Sequence, residues 1–320
     1  MEESMSMAVG RSMPKSKKKK KKITKEGWIL LLMCVPFMIF IFMFTYITLF
    51  GWTYAFLDFR PAFGPNPFNH EFVGLRHFRA LFVERNVLLR VTRNTLAMSG
   101  LGLLTMPLTP LLAILFMELR SNKLKRITQT ITTFPNFISW IIVFGMAVTF
   151  FANRGVVDTF MQWLGRDPQR LPFMARADRV WSFQTMLGIW KNIGFGAIIY
   201  VAAIAGIDQS LYEAAKIDGA SRLKCIRHIT IPGISLTFLV MFLLAISGIL
   251  STDFERQLIF FNPMVAERFI GLDLHIYRVG VTQGAFSFAT ATGIIRSVVG
   301  VALLFIANWV SKLIRGDSLI

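Results

Sequence analysis

The residues able to do chemistry in this 320-residue chain are few, and most sit in or beside apolar runs. One run carries Trp190, Lys191, Asn192 and Tyr200. A second carries Ser247 and ends on Ser251, Thr252 and Asp253. A third carries Arg296 and Asn308. Polar and ionisable groups are costly in such surroundings, so each is a candidate for contact with a ligand. Each also has a plain structural use. Lys191 can reach an interface along its stem, Arg296 can pair with Asp253, and the hydroxyls can bond their own helix carbonyls. Hydrolytic or transfer chemistry would need clustered carboxylates, a metal site or an activated nucleophile. His70, His77, His228 and His275 are scattered, Cys34 and Cys225 lie far apart, and no Gly-x-x-x-x-Gly-Lys-[Ser/Thr] occurs. The chain therefore reads as a binding or transport protein without a catalytic residue, metal site or cofactor of its own.

The elements that must position these residues are membrane helices. Only 17% of residues are charged and 54% are hydrophobic, against about a quarter charged in soluble domains. Apolar runs at about 28–50, 96–117, 137–151, 186–205, 234–250 and 294–314 approach or reach the roughly 20 residues that cross a bilayer as helix. The expectation is an all-α polytopic membrane protein with six transmembrane helices. Pro107 and Pro110 fall inside the second, where freed backbone groups need other partners. The first run is too long for a signal core and lacks a small-residue cleavage site, so it reads as a retained helix.

Charge sets the orientation. Lys15 and the run Lys17 to Lys22 account for much of the net charge of +17 and precede the first apolar run. Such a cluster reads as a cytoplasmic anchor facing anionic lipid, and no aromatic or glycine-rich pattern accompanies it that would suit nucleic acid. Arg120, Lys123, Lys125 and Arg126 fall on the same side when six helices are counted. So do Lys216, Arg222, Lys224 and Arg227, and Lys312 with Arg315. Both termini are expected in the cytoplasm, with external loops at about 52–93, 153–184 and 256–292. The expected segments are a basic tail (1–26), a first transmembrane helix (27–52), an external loop (53–93), a core (94–316) and a short C-terminal tail (317–320). An internal loop at 207–232 belongs to the core.

That internal loop is the most informative stretch. It runs Gly206-Ile207-Asp208-Gln209-Ser210-Leu211-Tyr212-Glu213-Ala214-Ala215-Lys216-Ile217-Asp218-Gly219-Ala220 and continues through Ile229 to Pro232. Ser210 followed three residues later by Glu213 reads as a capping box opening a short helix. Gly219 permits a bend, and a second short basic helix is expected to end near Pro232. The product is a helical knob whose Ala214 and Ala215 invite close approach by another backbone.

Glu213, Ala214, Ala215, Gly219, Ile229 and Pro232, at these spacings, resemble the cytoplasmic signature of ABC-importer permeases of the binding-protein-dependent type. Tyr212-Glu213 with Asp218-Gly219-Ala220, Asn94-Thr95 and Trp190-Lys191-Asn192 look like the sugar permeases. Tyr277 to Gly280 and Phe286 to Gly293 look like the complex-oligosaccharide branch, which includes alginate importers. The resemblance covers most of 27–316. It implies a type I ABC-importer permease fold in the bacterial inner membrane. The implied partners are a second homologous permease subunit, two ATPase subunits holding ATP and magnesium, and an external substrate-binding protein. Glu213, Ala214, Ala215 and Gly219 match the motif that docks on the ATPase. The polar and ionisable residues inside the spans give the substrate-path candidates Trp190, Lys191, Asn192, Tyr200, Ser251, Asp253 and Arg296. Trp190 and Asn192 suit a sugar ring and its hydroxyls, and Lys191 and Arg296 suit a uronate. The competing classes are a membrane-embedded glycosyl- or lipid-transferase and a stand-alone secondary transporter. The first lacks its catalytic cluster, and the second would show an internal repeat and intramembrane carboxylates.

Overall fold

The structure, a computed structural model, describes residues 25–152, 155–165 and 173–315. The lysine run and the expected C-terminal tail lie outside these residues. Within them the chain is helical, with one isolated antiparallel pairing of Leu57 with Phe72. Six helical segments are long and apolar enough to cross a membrane: Lys25–Phe56, Arg85–Glu118, Trp140–Trp163, Val180–Ala205, Arg222–Ser247 and Phe286–Lys312. Several exceed the apolar runs that marked them. The second starts at Arg85 and the fifth at Arg222 because a helix need not stop where its hydrophobic stretch stops.

The contacts divide the chain into two units, one ending at Gly51 and the other beginning at Trp52. The first holds a helix, Lys25–Ile41, with Pro36 inside it, followed by a π-type turn at Phe42–Tyr46. Thr48 Oγ1 donates to the Phe44 carbonyl at 2.7 Å within the same segment. Its side chains are apolar on every face, as suits a helix solvated by lipid.

In the second unit the fourth span, Val180–Ala205, is the axis. Towards one end Val180, Phe183 and Leu187 pack with Trp140, Val143 and Ala147 of the third span and with Phe260, Val265, Phe269 and Leu274. Towards the other, Ala197, Tyr200 and Ile204 pack with Ala113, Ile114 and Phe116 of the second span and Ile234 of the fifth. The latter end carries the basic loop and is called the knob end. The opposite is the far end.

Two breaks shape the region between these cores. The second span stops at Thr105 and restarts at Leu108 around Pro107. Met106 N–H turns to the Leu103 carbonyl (3.2 Å) and Thr109 N–H to Met106 (3.1 Å), tighter bonds that satisfy the interrupted ladder. The third span is preceded by a 3₁₀ turn, Phe134–Phe137, containing Pro135. The Lys191 ammonium donates to the carbonyls of Pro135 (3.4 Å), Asn136 (2.7 Å) and Ile138 (2.7 Å). Gly194 lies against the backbone of Thr132, where a Cβ would collide.

At the far end the stretch expected to be an external loop holds short helices, Phe254–Ile259, Ala266–Phe269 and Leu272–Tyr277. Asn94 and Thr95, both fully buried, hold this layer down. Asn94 Nδ2 donates to the carbonyls of Glu267 and Ile270, each at 2.9 Å, and Leu272 N–H donates to Thr95 Oγ1 at 2.8 Å. Their adjacency in sequence follows from two neighbouring backbone groups needing partners at one place.

Candidate functional site

The knob is a two-turn helix, Gln209–Ile217. Its N-cap is Asp208, whose carboxylate accepts from Ser210 N–H at 2.9 Å, so the expected Ser210–Glu213 capping box does not form. Asp208 precedes Ser210 in sequence and takes the first orphan donor, leaving Glu213 exposed and free of a capping duty. Those bonds hold the Asp208 carboxyl below its ordinary range. The helix closes with Ala220 N–H on the Ala215 carbonyl (2.8 Å) and Gly219 N–H on Lys216 (3.1 Å). This is a Schellman closure that needs the left-handed φ of +74° at Gly219.

The chain then enters a helix at Arg222 that continues without a stop, through a π-type turn at Ile226–Thr230, into the fifth span. The expected second short helix ending near Pro232 is thus the first turns of that span. Pro232 sits where the widened turn hands over to α-helix. Tyr212 Oη and Thr230 Oγ1 share a hydrogen bond of 2.9 Å, and Arg222 pairs with Glu118 at 3.8 Å. The knob is therefore fastened to the fifth span, whose first residue is in turn paired with the end of the second, while Glu213, Ala214 and Ile217 face outward.

Between the two cores lies a cavity of about 560 Å³ lined by the broken second span, the fourth and the fifth. It runs from Thr185 to Tyr200 along the fourth span, about 22 Å of helix at 1.5 Å per residue. The break in the second span contributes Thr105, Met106 and Thr109. Non-helical backbone at this depth is tolerated where it lines a cavity. Ser99, Thr185, Asn192, Ser251 and Thr252 add hydroxyl and amide groups, and Asp253 and Arg256 stand at the far end.

Four of the sequence-selected path residues meet here: Asn192, Tyr200, Ser251 and Asp253. Tyr200 is 2% exposed, with its hydroxyl unpartnered among the described residues. Asn192 Oδ1 accepts from Asn136 at 2.9 Å. The other three are elsewhere. Trp190 is 40% exposed on another face of its helix, and Lys191 points into the break before the third span. Arg296 pairs with Asp273, not with Asp253. Asp273 also accepts from Thr252 N–H at 2.6 Å and lines a separate cavity with Arg296.

Arg256 is the residue that sequence reading passed over. Its Nη1 donates to the Gln184 carbonyl at 3.0 Å, and its guanidinium lies 5.4 Å from the centre of the Trp140 ring. Lys191 Nζ is 5.3 Å from the same ring centre. Burial lowers the Arg256 pKa from the usual arginine range, with Asp253 opposing the shift. The signal available in sequence was an arginine three residues after a helix-capping Asp253, in a segment that reads as loop.

Comparison with known proteins fits this geometry. Residues 106–316 match the family described as binding-protein-dependent transport system inner membrane component. Protein LplB of Bacillus subtilis is 36% identical over 295 residues, covering 91% of this chain and 90% of that protein. The polygalacturonan/rhamnogalacturonan transport system permease protein YteP of Bacillus subtilis is 33% identical, over 97% and 96% of the two chains. Among solved structures, a chain of a bacterial ABC transporter involved in import of the acidic polysaccharide alginate superposes with a TM-score of 0.81. It is 33% identical, over 91% of this chain and 97% of that one. The same values of similarity hold for that transporter in complex with an alginate pentasaccharide-bound periplasmic protein, over 92% and 98%.

Proposed function

The chain belongs to the binding-protein-dependent transport inner membrane components, the permease subunits of ABC importers, and on that premise we propose that it carries oligosaccharides, acidic ones included, along the cavity beside its fourth span. The knob end faces the cytoplasm, which places the basic segments at 120–126 and 216–227 on the inner side. Glu213, Ala214, Ala215 and Gly219 form the contact with an ATPase subunit. That subunit holds ATP and magnesium, and this chain hydrolyses nothing itself. A second permease subunit completes the path, and an external binding protein delivers the sugar at the far end.

The observation that carries this reading is mechanical. The exposed knob is tied through Tyr212–Thr230 to the fifth span, Arg222–Glu118 joins the fifth span to the second, and those two spans line the cavity. Movement imposed on the knob is thereby delivered to the walls of the path. Acidic substrates are supported by relatives whose own names specify polygalacturonan and alginate. The test is purification of the chain from its own membranes. A permease brings down an ATPase and a second permease, and the reconstituted assembly takes up an oligosaccharide only with ATP and the binding protein present. Uptake by this chain alone would overturn the reading.

A further inference from the structure

We propose that Arg256 is the specificity-determining residue of the path, the group that receives the carboxylate of an acidic sugar unit as it enters the cavity. The inference rests on the transport reading above and adds the residue and the chemistry. Arginine suits the task because its rigid fork of donors matches a carboxylate on two atoms at once.

The geometry points to Arg256 through three neighbours on two spans. The guanidinium lies over the indole of Trp140, itself 4% exposed, at the start of the third span. One arm is held by the Gln184 carbonyl of the fourth span at 3.0 Å. Gly188, one turn further along that span, leaves the space the guanidinium occupies, since a Cβ there would collide with Nη1. Nε is buried and without a partner among the described residues. The group is thus fixed in place with donors in reserve, the condition for recognition without much reorganisation.

The charges around it favour an anion. Lys191 shares the Trp140 ring, so two cations meet one indole. The opposing carboxylate is Asp253, one oxygen of which accepts the backbone N–H of Arg256 at 3.2 Å. The nearby Asp273 is paired with Arg296. Asp253 caps the backbone and does not occupy the guanidinium, so it acts on an arriving sugar carboxylate as a nearby opposing charge. Lys191 is committed to three backbone carbonyls, and its own donors are occupied. Its charge contributes only to the field.

The experiment uses the complete importer in proteoliposomes with its binding protein. Two probes are offered: a uronic-acid pentasaccharide and its carboxyl-reduced neutral counterpart. The readout is the ratio of acidic to neutral uptake per assembled complex. Replacing Arg256→Gln is expected to lower the ratio about tenfold, the scale of one charge-assisted contact, and Arg256→Lys to lower it less. Gly188→Ala keeps every charge but displaces the guanidinium, and it is expected to lower the ratio as well. Asp253→Asn removes the opposing charge and is expected to raise it. A merely structural role would reduce both probes together, leaving the ratio unchanged in all four variants, and that outcome overturns the proposal. Wild type that carries the probes equally overturns the acidic-substrate reading itself. Wild type that prefers the acid while Arg256→Gln keeps that preference overturns the role of Arg256 alone.

Discussion

At the scale of single residues, the intramembrane cations separate by what they touch. Lys191 is 7% exposed and its three donors meet three carbonyls of the turn at 134–138, so it replaces the hydrogen bonds a proline-broken helix lost. Lys191→Met is expected to destabilise the protein by about 3 kcal/mol, since carbonyls are left buried without donors. Thermal unfolding in detergent would register this as a lower midpoint, with the acidic-to-neutral uptake ratio of surviving molecules little changed. His275 permits a test by pH. It is half-buried, and desolvation pulls its pKa below the ordinary histidine value. Glu84 opposes that shift, while Arg90 and Arg278 reinforce it. The folded state thus prefers neutral imidazole, and the unfolded chain binds the extra proton below about pH 6.5. Stability from this group is full above that pH and lost as the pH falls from there through the lowered folded value. His275→Gln should flatten that part of the midpoint-against-pH curve, and an unchanged slope would rule the histidine out. The sequence showed that Lys191 was out of place in an apolar run but not what it met, because its partners lie about 55 positions earlier in the chain. Arg256 was hidden for the same reason. Its burial is made by Trp140, Gln184 and Gly188, none of them its neighbours in sequence.

At the scale of elements, the knob was legible because its signature is contiguous and fixed in spacing, whereas its cap was misread by two residues. That correction sharpens the test of docking. Glu213 carries no cap, so Glu213→Ala should leave the helix as stable as before while weakening the hold on the ATPase subunit. Asp208→Ala, which removes the observed cap, should cost the helix about 1 kcal/mol. Gly219 has open space where a Cβ would go, so Gly219→Ala is opposed only by its φ of +74°. That is a cost of about 1–2 kcal/mol for a left-handed L-residue. Gly219→Pro cannot adopt that angle at all and must redirect the chain into Arg222. Both glycine variants should insert and accumulate near normal levels, yet lose stimulation of ATP hydrolysis by the loaded binding protein, Pro more completely. Normal stimulation in Gly219→Pro would remove the coupling role. The break at Pro107 was also foreseeable from the missing donor. That it would open onto a cavity was not, because this depends on the fourth and fifth spans standing opposite.

At the scale of the whole molecule, the claim most exposed to refutation is that the knob and the far-end layer lie on opposite sides of one membrane. Six long apolar helices were legible from run length alone, and the placement of lysine is the sequence argument for their sidedness. Arginine blurs the charge rule, for Arg60, Arg76, Arg79, Arg85, Arg90 and Arg93 all precede or open the second span, on the side assigned to the exterior. Structure supplies what charge counting does not. The segment 57–72 is tied to the start of the sixth span, where Ser287 Oγ donates to the Leu57 carbonyl at 2.6 Å and accepts from Phe59 N–H at 3.0 Å. It belongs to the far end, opposite Gly219 and Asn122. Phe68 is 94% exposed and Ile217 is 87% exposed, so both accept a reporter without disturbing a core. In a background of Cys34→Ser and Cys225→Ala, Phe68→Cys should react with a membrane-impermeant thiol reagent added to intact spheroplasts. Ile217→Cys and Asn122→Cys should react only after the membrane is opened. Buried Cys225 makes its replacement the riskier of the two, so assembly with the ATPase subunit must be measured in the same background. Reaction of Ile217→Cys from outside would leave the knob with no ATPase to meet. The docking role of Glu213 and Gly219 would then fall, whatever the uptake assays had shown.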